Sequence, residues 1–165
     1  VTGRLANQLE TLDHIGLLTP AGIDPASAPR LPPPADPAEA LEPRARAYLH
    51  ANCSNCHRPN GPTGVDMDLR YTQSPGLAST NTCDVAPQAG DLGIADARLI
   101  APGSPSRSIL LQRMLRRDAH GMPPTGSNLA DPAGALLIST WIRELANCDA
   151  ADTSCDGCHA PAGSP

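Results

Sequence analysis

Apolar side chains recur at helical spacing in four stretches of the chain. Leu5, Leu9 and Leu12 make a narrow stripe, with Gly16 placed to end it. Leu41, Ala45, Tyr48 and Leu49 make a second. Its helix is expected to start at Asp36-Pro37-Ala38-Glu39, an N-cap with Pro in the first turn and a capping-box Glu, and to run to about Asn52. Pro43 would kink or restart it. A third helix is signalled at Ser104-Pro105 and carries Ile109, Leu110, Met114 and Leu115. The fourth begins at Asp131-Pro132 and shows the cleanest face: Ile138, Trp141, Ile142 and Leu145. Between the first and second stretches, residues 20–37 hold seven prolines and read as an extended strap. Residues 59–103 are rich in Gly, Pro and Asp and read as loops.

Composition changes this picture in one respect. Hydrophobic residues make up 40% of the 165, yet aromatics only 2%: Trp141, Tyr48 and Tyr71, with no Phe. Aromatic rings ordinarily supply much of a core's buried area, so something else has to fill that volume. There is no Gly-X-Y period and no apolar run of membrane-spanning length. All 12 basic residues are Arg, against 17 acidic ones, for a net charge of −5, which gives no basic face for nucleic acid.

Six cysteines carry the chemistry. Four stand in two strings, Cys53-Ser54-Asn55-Cys56-His57 and Cys155-Asp156-Gly157-Cys158-His159. Cys-x-x-Cys-His is the attachment signature of c-type haem. Two thiols reach two vinyl groups on one porphyrin edge, and the adjacent His turns under the ring to bind iron. A zinc site would want four convergent ligands, and neighbouring Cys158 and His159 could hardly share one metal. Two covalently attached haems would also stand in for the missing aromatics. Covalent haem attachment implies an extracytoplasmic protein, in the periplasm or at the cell surface. The leftover pair, Cys83 and Cys148, would suit an oxidising compartment as a disulfide, although sequence does not give their separation. The chain starts at Val1 without Met and reads as a mature or processed product.

A helix running into Cys53 to His57, then Met122-Pro123-Pro124, then a closing helix with Trp141, resembles a class I cytochrome c domain. It is similar to the cytochrome modules of secreted bacterial proteins. The resemblance covers roughly residues 37–147. It implies a mainly α fold with long loops, His57 as proximal and Met122 as distal ligand of the first haem, and a backbone carbonyl of Gly61-Pro62 holding the His57 ring. An extended N-terminal arm over residues 1–36 and a short haem-bearing tail over 148–165 complete the expected organisation. Met122 is also argued from its setting, since two following prolines stiffen the loop. Met114, on a helix stripe, and Met67, between Asp66 and Asp68, are the competitors. Arg70-Tyr71 could pair with a haem propionate. Arg113, Arg116 and Arg117 read as a solvated helix face.

The string at Cys155 lies outside that resemblance. Its iron would take His159 and one further ligand. His50 would crowd the first haem and His120 belongs near Met122, whereas His14 on the arm is free to reach elsewhere. A porphyrin attached so near the last residue needs cover. If the arm of the next copy supplies that cover, with His14 binding the haem on its neighbour's His159, the contact is heterologous and propagates head to tail as a homopolymer, a conductive filament. The expected function is electron transfer with other redox proteins rather than enzymic. The alternatives are a small soluble dihaem carrier, a peroxidase-like haem enzyme with one open iron position, or a cytochrome domain cut from a larger dehydrogenase.

Overall fold

The computed structural model describes residues 6–19, 22, 24–71 and 77–148. Two compact units divide the chain, Val1–Leu31 and Pro32–Pro165. The described residues are mainly helical, and pairing between extended segments is limited to the isolated bridges Cys83 to Ile100 and Arg98 to Ser108.

In the first unit, α1 spans Gln8–His14. Asn7 caps it by accepting from the Leu9 N–H at 2.9 Å. Gly16, at φ +73°, closes it, because the left-handed conformation there costs Gly nothing. No residue of α1 is buried, and Ile15 and Leu17 beyond it are 59% and 68% exposed. The proline strap is not straight: Asp24 folds a turn, its carboxylate accepting from the Ala26 N–H at 3.0 Å.

In the second unit, Asp36 caps no helix. It makes a separate turn through the Ala38 N–H, and α2 begins later, spanning Leu41–Cys53 with Ala40 ahead of it. Pro43 therefore falls in the first turn, where its missing N–H forfeits no helical bond, and it neither kinks nor restarts the helix. The Ser104-Pro105 signal opens a single 3-10 turn, Pro105–Arg107. Helix α3 is only Ile109–Met114. Helix α4 spans Pro132–Glu144 as the pattern indicates, with Asp131 accepting from the N–H groups of Ala133 and Gly134.

Helix α4 packs on both α2 and α3. Its expected face is buried in full, and Ile138 and Ile142 are completely enclosed. Ala45 and Leu49 of α2 meet that face, Leu111 comes from α3, and loop residues Leu69, Leu77, Leu99 and Ile100 close the core. The α2–α4 crossing is tight because Gly134 has no side chain: a Cβ there would overlap the Tyr48 ring. Tyr48 also donates to Asp131 at 3.0 Å. The long loops are knitted by backbone bonds, with Leu99 N–H donating to Val85 and Leu110 N–H donating to Leu99. A disulfide joins Cys83 to Cys148, Cα to Cα 5.6 Å, across 65 residues. Closing a loop of that length removes about 4 kcal/mol of chain entropy from the unfolded state in the loop-closure model.

Replacing Gly134 by Ala should lower the unfolding free energy by about 1–3 kcal/mol, the usual range for overpacking. Urea denaturation at constant slope measures it. No loss would mean that the Tyr48 ring moves aside freely.

Candidate functional site

Helix α2 ends on Cys53, and the first Cys-x-x-Cys-His string is the turn that follows. Ser54 caps the helix end by donating its hydroxyl to the His50 carbonyl at 2.7 Å. The N–H groups of Cys56 and His57 both donate to the Cys53 carbonyl, winding the string into a compact knot. Gly61 then folds back on it so closely that a Cβ would overlap the Cys56 carbonyl oxygen. From the other side, the Leu69 N–H donates to the His57 carbonyl at 3.0 Å. The Leu69 strip is itself held by Asp68, whose N–H donates to Thr80 and whose carboxylate takes a forked pair from Arg70.

His57 thus has a fixed backbone, and its ring is uncommitted. Its Nδ1 is buried and has no hydrogen-bond partner. The expected carbonyl of Gly61-Pro62 does not hold the ring; Gly61 serves the turn instead. Burial lowers the His57 pKa, so the imidazole is neutral, the form that binds a metal. Burial, with Cys56 nearby, pushes the Cys53 thiol up to about 11. Cys53 and Cys56 are both free thiols.

Beside this knot runs a cleft whose wall is almost wholly apolar, including Met67, Leu69, Leu99, Met114 and Met122. A second lobe shares Cys53, His57, Met114 and Met122 and extends past Tyr48, Asn52, Pro123 and Leu129. The structure therefore brings Cys53, Cys56, His57 and Met122 to one place. Both competing methionines line it too, Met67 as a buried core residue and Met114 as the last residue of α3. Among the described residues no group of three or more His, Cys, Asp or Glu gathers.

The remaining expectations fall out as follows. His14 is the exposed last residue of α1. Cys155, Cys158 and His159 lie outside the described residues. His50 accepts the Tyr71 N–H at 3.1 Å, so it anchors a loop. His120 is exposed. The Arg70 guanidinium, a candidate propionate partner, is taken by Asp68 at 2.7 Å. Arg113 and Arg117 are not a solvated face. α3 stops at Met114, so Arg117 sits past its end, where it donates to the carbonyls of Met114, Met122 and Leu129. Arg113 donates to the carbonyls of Ala89 and His120. Arg116, paired with Asp118, is the one of the three whose side chain stays outward. These two arginines are what sequence reasoning missed, and only their nearness to Met122 hinted at it.

No protein-family model, curated protein or solved structure matches the chain.

The bond from Arg70 holds the Asp68 carboxyl below its usual 3.8. The unfolded chain therefore takes up that proton first as pH falls. The Asp68 contribution is present above about pH 4 and lost as pH drops through the lower, folded value. Asp68→Asn should be less stable than the parent at neutral pH, and the gap should close at low pH. An undiminished gap in acid would remove the charge pair as its cause.

Proposed function

We propose that this chain is an extracytoplasmic c-type cytochrome of the class I kind that carries electrons through two covalently attached haems. The observation that carries the reading is the His57 ring, whose buried Nδ1 has no partner, sharing one apolar cleft with Met122 directly beyond two free thiols. The donor set fits a porphyrin. A haem would need only two donors from the protein, and the His57 imidazole and the Met122 thioether would supply them. A zinc ion would need about four protein donors, and no such cluster gathers among the described residues. When bound, the haem supplies a one-electron iron couple.

The chain's own residues do the rest. Cys53 and Cys56 would tether the haem through thioether bonds, their S–H adding across its vinyl groups with nothing lost. His57, neutral at physiological pH, offers its other ring nitrogen to the iron. Met122 offers sulfur, which favours the ferrous state and raises the potential. Apolar residues such as Leu69, Leu99 and Met67 keep water from the ring, which works in the same direction. With His57 and Met122 both committed to the first haem, no place would remain there for peroxide, which favours electron transfer over peroxidase-like chemistry at that haem. The Cys83–Cys148 disulfide suits an oxidising compartment, periplasmic or extracellular. Among the described residues no helix is long and apolar enough to cross a membrane.

The second haem, on Cys155, Cys158 and His159, takes His14 of a neighbouring copy in this reading. Exposed His14, followed by the exposed apolar residues Ile15 and Leu17, favours the arm as the contributing element. The contact builds a head-to-tail filament.

A pyridine haemochrome assay should return two haems per chain; a ratio near one would remove the string at Cys155 as an attachment site. Met122→Ala should abolish the weak near-infrared Met-to-iron band of the oxidised protein, and a surviving band would assign the ligand elsewhere. Carbon monoxide binding to the ferrous wild-type protein at either haem would favour the enzyme instead.

His14→Ala should turn polymer into monomer and the second haem high-spin. A wild-type protein that is strictly monomeric with both irons six-coordinate leaves a small soluble carrier.

A further inference from the structure

The geometry points to Arg117 as the positioning residue that holds Met122 toward the cleft, an assignment that rests on Met122 being the distal ligand. After α3 ends at Met114, the chain doubles back over the helix end. Gly121 permits it: a Cβ there would press on the Arg116 carbonyl. Met122 is then fixed through both of its backbone polar groups. Its N–H donates to the Arg113 carbonyl at 2.9 Å. Its carbonyl accepts from Nη1 of Arg117 at 3.2 Å.

The same guanidinium gathers the rest of the loop. Nη1 also donates to the Met114 carbonyl at 2.9 Å and to the carbonyl of Arg116. Nη2 reaches past Pro123-Pro124 to the Leu129 carbonyl at 2.8 Å. Its Nε is buried without a partner, so the head sits inside the loop and not above it. One cation thus ties together two cleft methionines and the far end of the proline loop. Arg suits this task, since its planar head offers five donors in fixed directions, whereas Lys offers a single point charge.

The consequence lies in how a thioether binds. It is a neutral, weak donor, easily displaced unless its approach is prepaid by a loop already in place. With its N–H and carbonyl both bonded, Met122 cannot withdraw without breaking the Arg117 contact. Arg117 touches neither the haem nor its iron; it acts through Met122. Without it the haem stays attached by Cys53 and Cys56, while the Met122 bond to iron competes poorly with outside ligands.

The test titrates imidazole into the oxidised, haem-loaded protein and follows the near-infrared Met-to-iron band. Arg117→Ala should keep the wild-type haem content yet lose the band at about tenfold or more lower imidazole, the scale of a lost hydrogen bond to a charged group. Arg117→Lys should fall between the two. Arg116→Ala, altering the outward neighbour, should titrate as wild type. An unchanged titration in a folded Arg117→Ala protein overturns the proposal and leaves the Met122 assignment standing. If Arg117→Ala does not accumulate, Arg117→Lys decides, and a wild-type curve for it overturns the proposal. A wild-type protein lacking the band altogether overturns the Met122 assignment itself, and Arg117 with it.

Discussion

Where Tyr48 of α2 lies against Gly134 of α4, two helices meet with no side chain between backbone and ring, and the cleft depends on that contact. The approach sets the direction of α2, and α2 ends on Cys53, so it also sets where the string from Cys53 to His57 is delivered. The contact is chemical as well as steric. Tyr48 donates to Asp131, and Asp131 is the residue that caps α4. Bonds from Gly134 and Tyr48 hold the Asp131 carboxyl below its ordinary value. Burial and that same bond push the Tyr48 hydroxyl up to about 12. At neutral pH the pair is one phenol donating to one carboxylate, and it couples the start of one helix to the last turns of the other. Beyond the other end of α4, the disulfide fastens Cys148 to Cys83. The helix that backs the core is thus secured at both ends by bonds to distant parts of the chain.

What was legible in the sequence was whatever follows from short-range periodicity and local chemistry. The α4 face and its Asp131 cap could be read because apolar spacing and capping act within one or two turns. The string at Cys53 could be read because five adjacent residues contain all of its chemistry. Arg117 could not. Its role depends on α3 ending after Met114, and nothing in Ile109 to Arg117 marks that end, which is imposed when Met122 and Gly121 fold back over it. Asp36 failed for the opposite reason. Its capping signal is real, but an Asx turn satisfies it just as well, and Pro43 fits a first turn wherever that turn begins. Cys83 and Cys148 could be paired only by elimination, their distance being a property of the whole fold.

The loops between α2 and α3 do structural work that their composition conceals. Met67, Leu69, Leu77, Leu99 and Ile100 are all buried, so five of the fourteen residues of the core cluster come from these loops. Such segments must satisfy their own backbone groups. They do it pairwise, Leu69 on His57, Leu99 on Val85, Ile100 on Thr82. The wall this builds is apolar and concave, and it faces the one helix end that carries two thiols and an imidazole. In the haem reading, the ring completes a core that has Trp141 as its single large aromatic residue, and the scarcity of Phe ceases to be a deficit.

Cysteine chemistry has to keep two kinds of pair apart in one chain, and burial offers a physical means. A thiol attacks a disulfide only as thiolate. Cys53 is largely protonated at neutral pH, because burial and the nearby Cys56 push its pKa to about 11. Its rate of exchange with the Cys83–Cys148 bond falls with its thiolate fraction, though less than in proportion, since a more basic thiolate is the stronger nucleophile. Helix α2 has placed Cys53 at the apolar cleft, where the same burial that quiets the thiol puts its sulfur beside the space a porphyrin edge would fill. Folding of α2 and α4 therefore does two jobs through one desolvated residue. It slows exchange of the Cys53 thiol with the disulfide, and in the proposed haem reading it holds that sulfur where the ring edge would lie. Cys56 is exposed and does not share this protection, which rests on Cys53 alone.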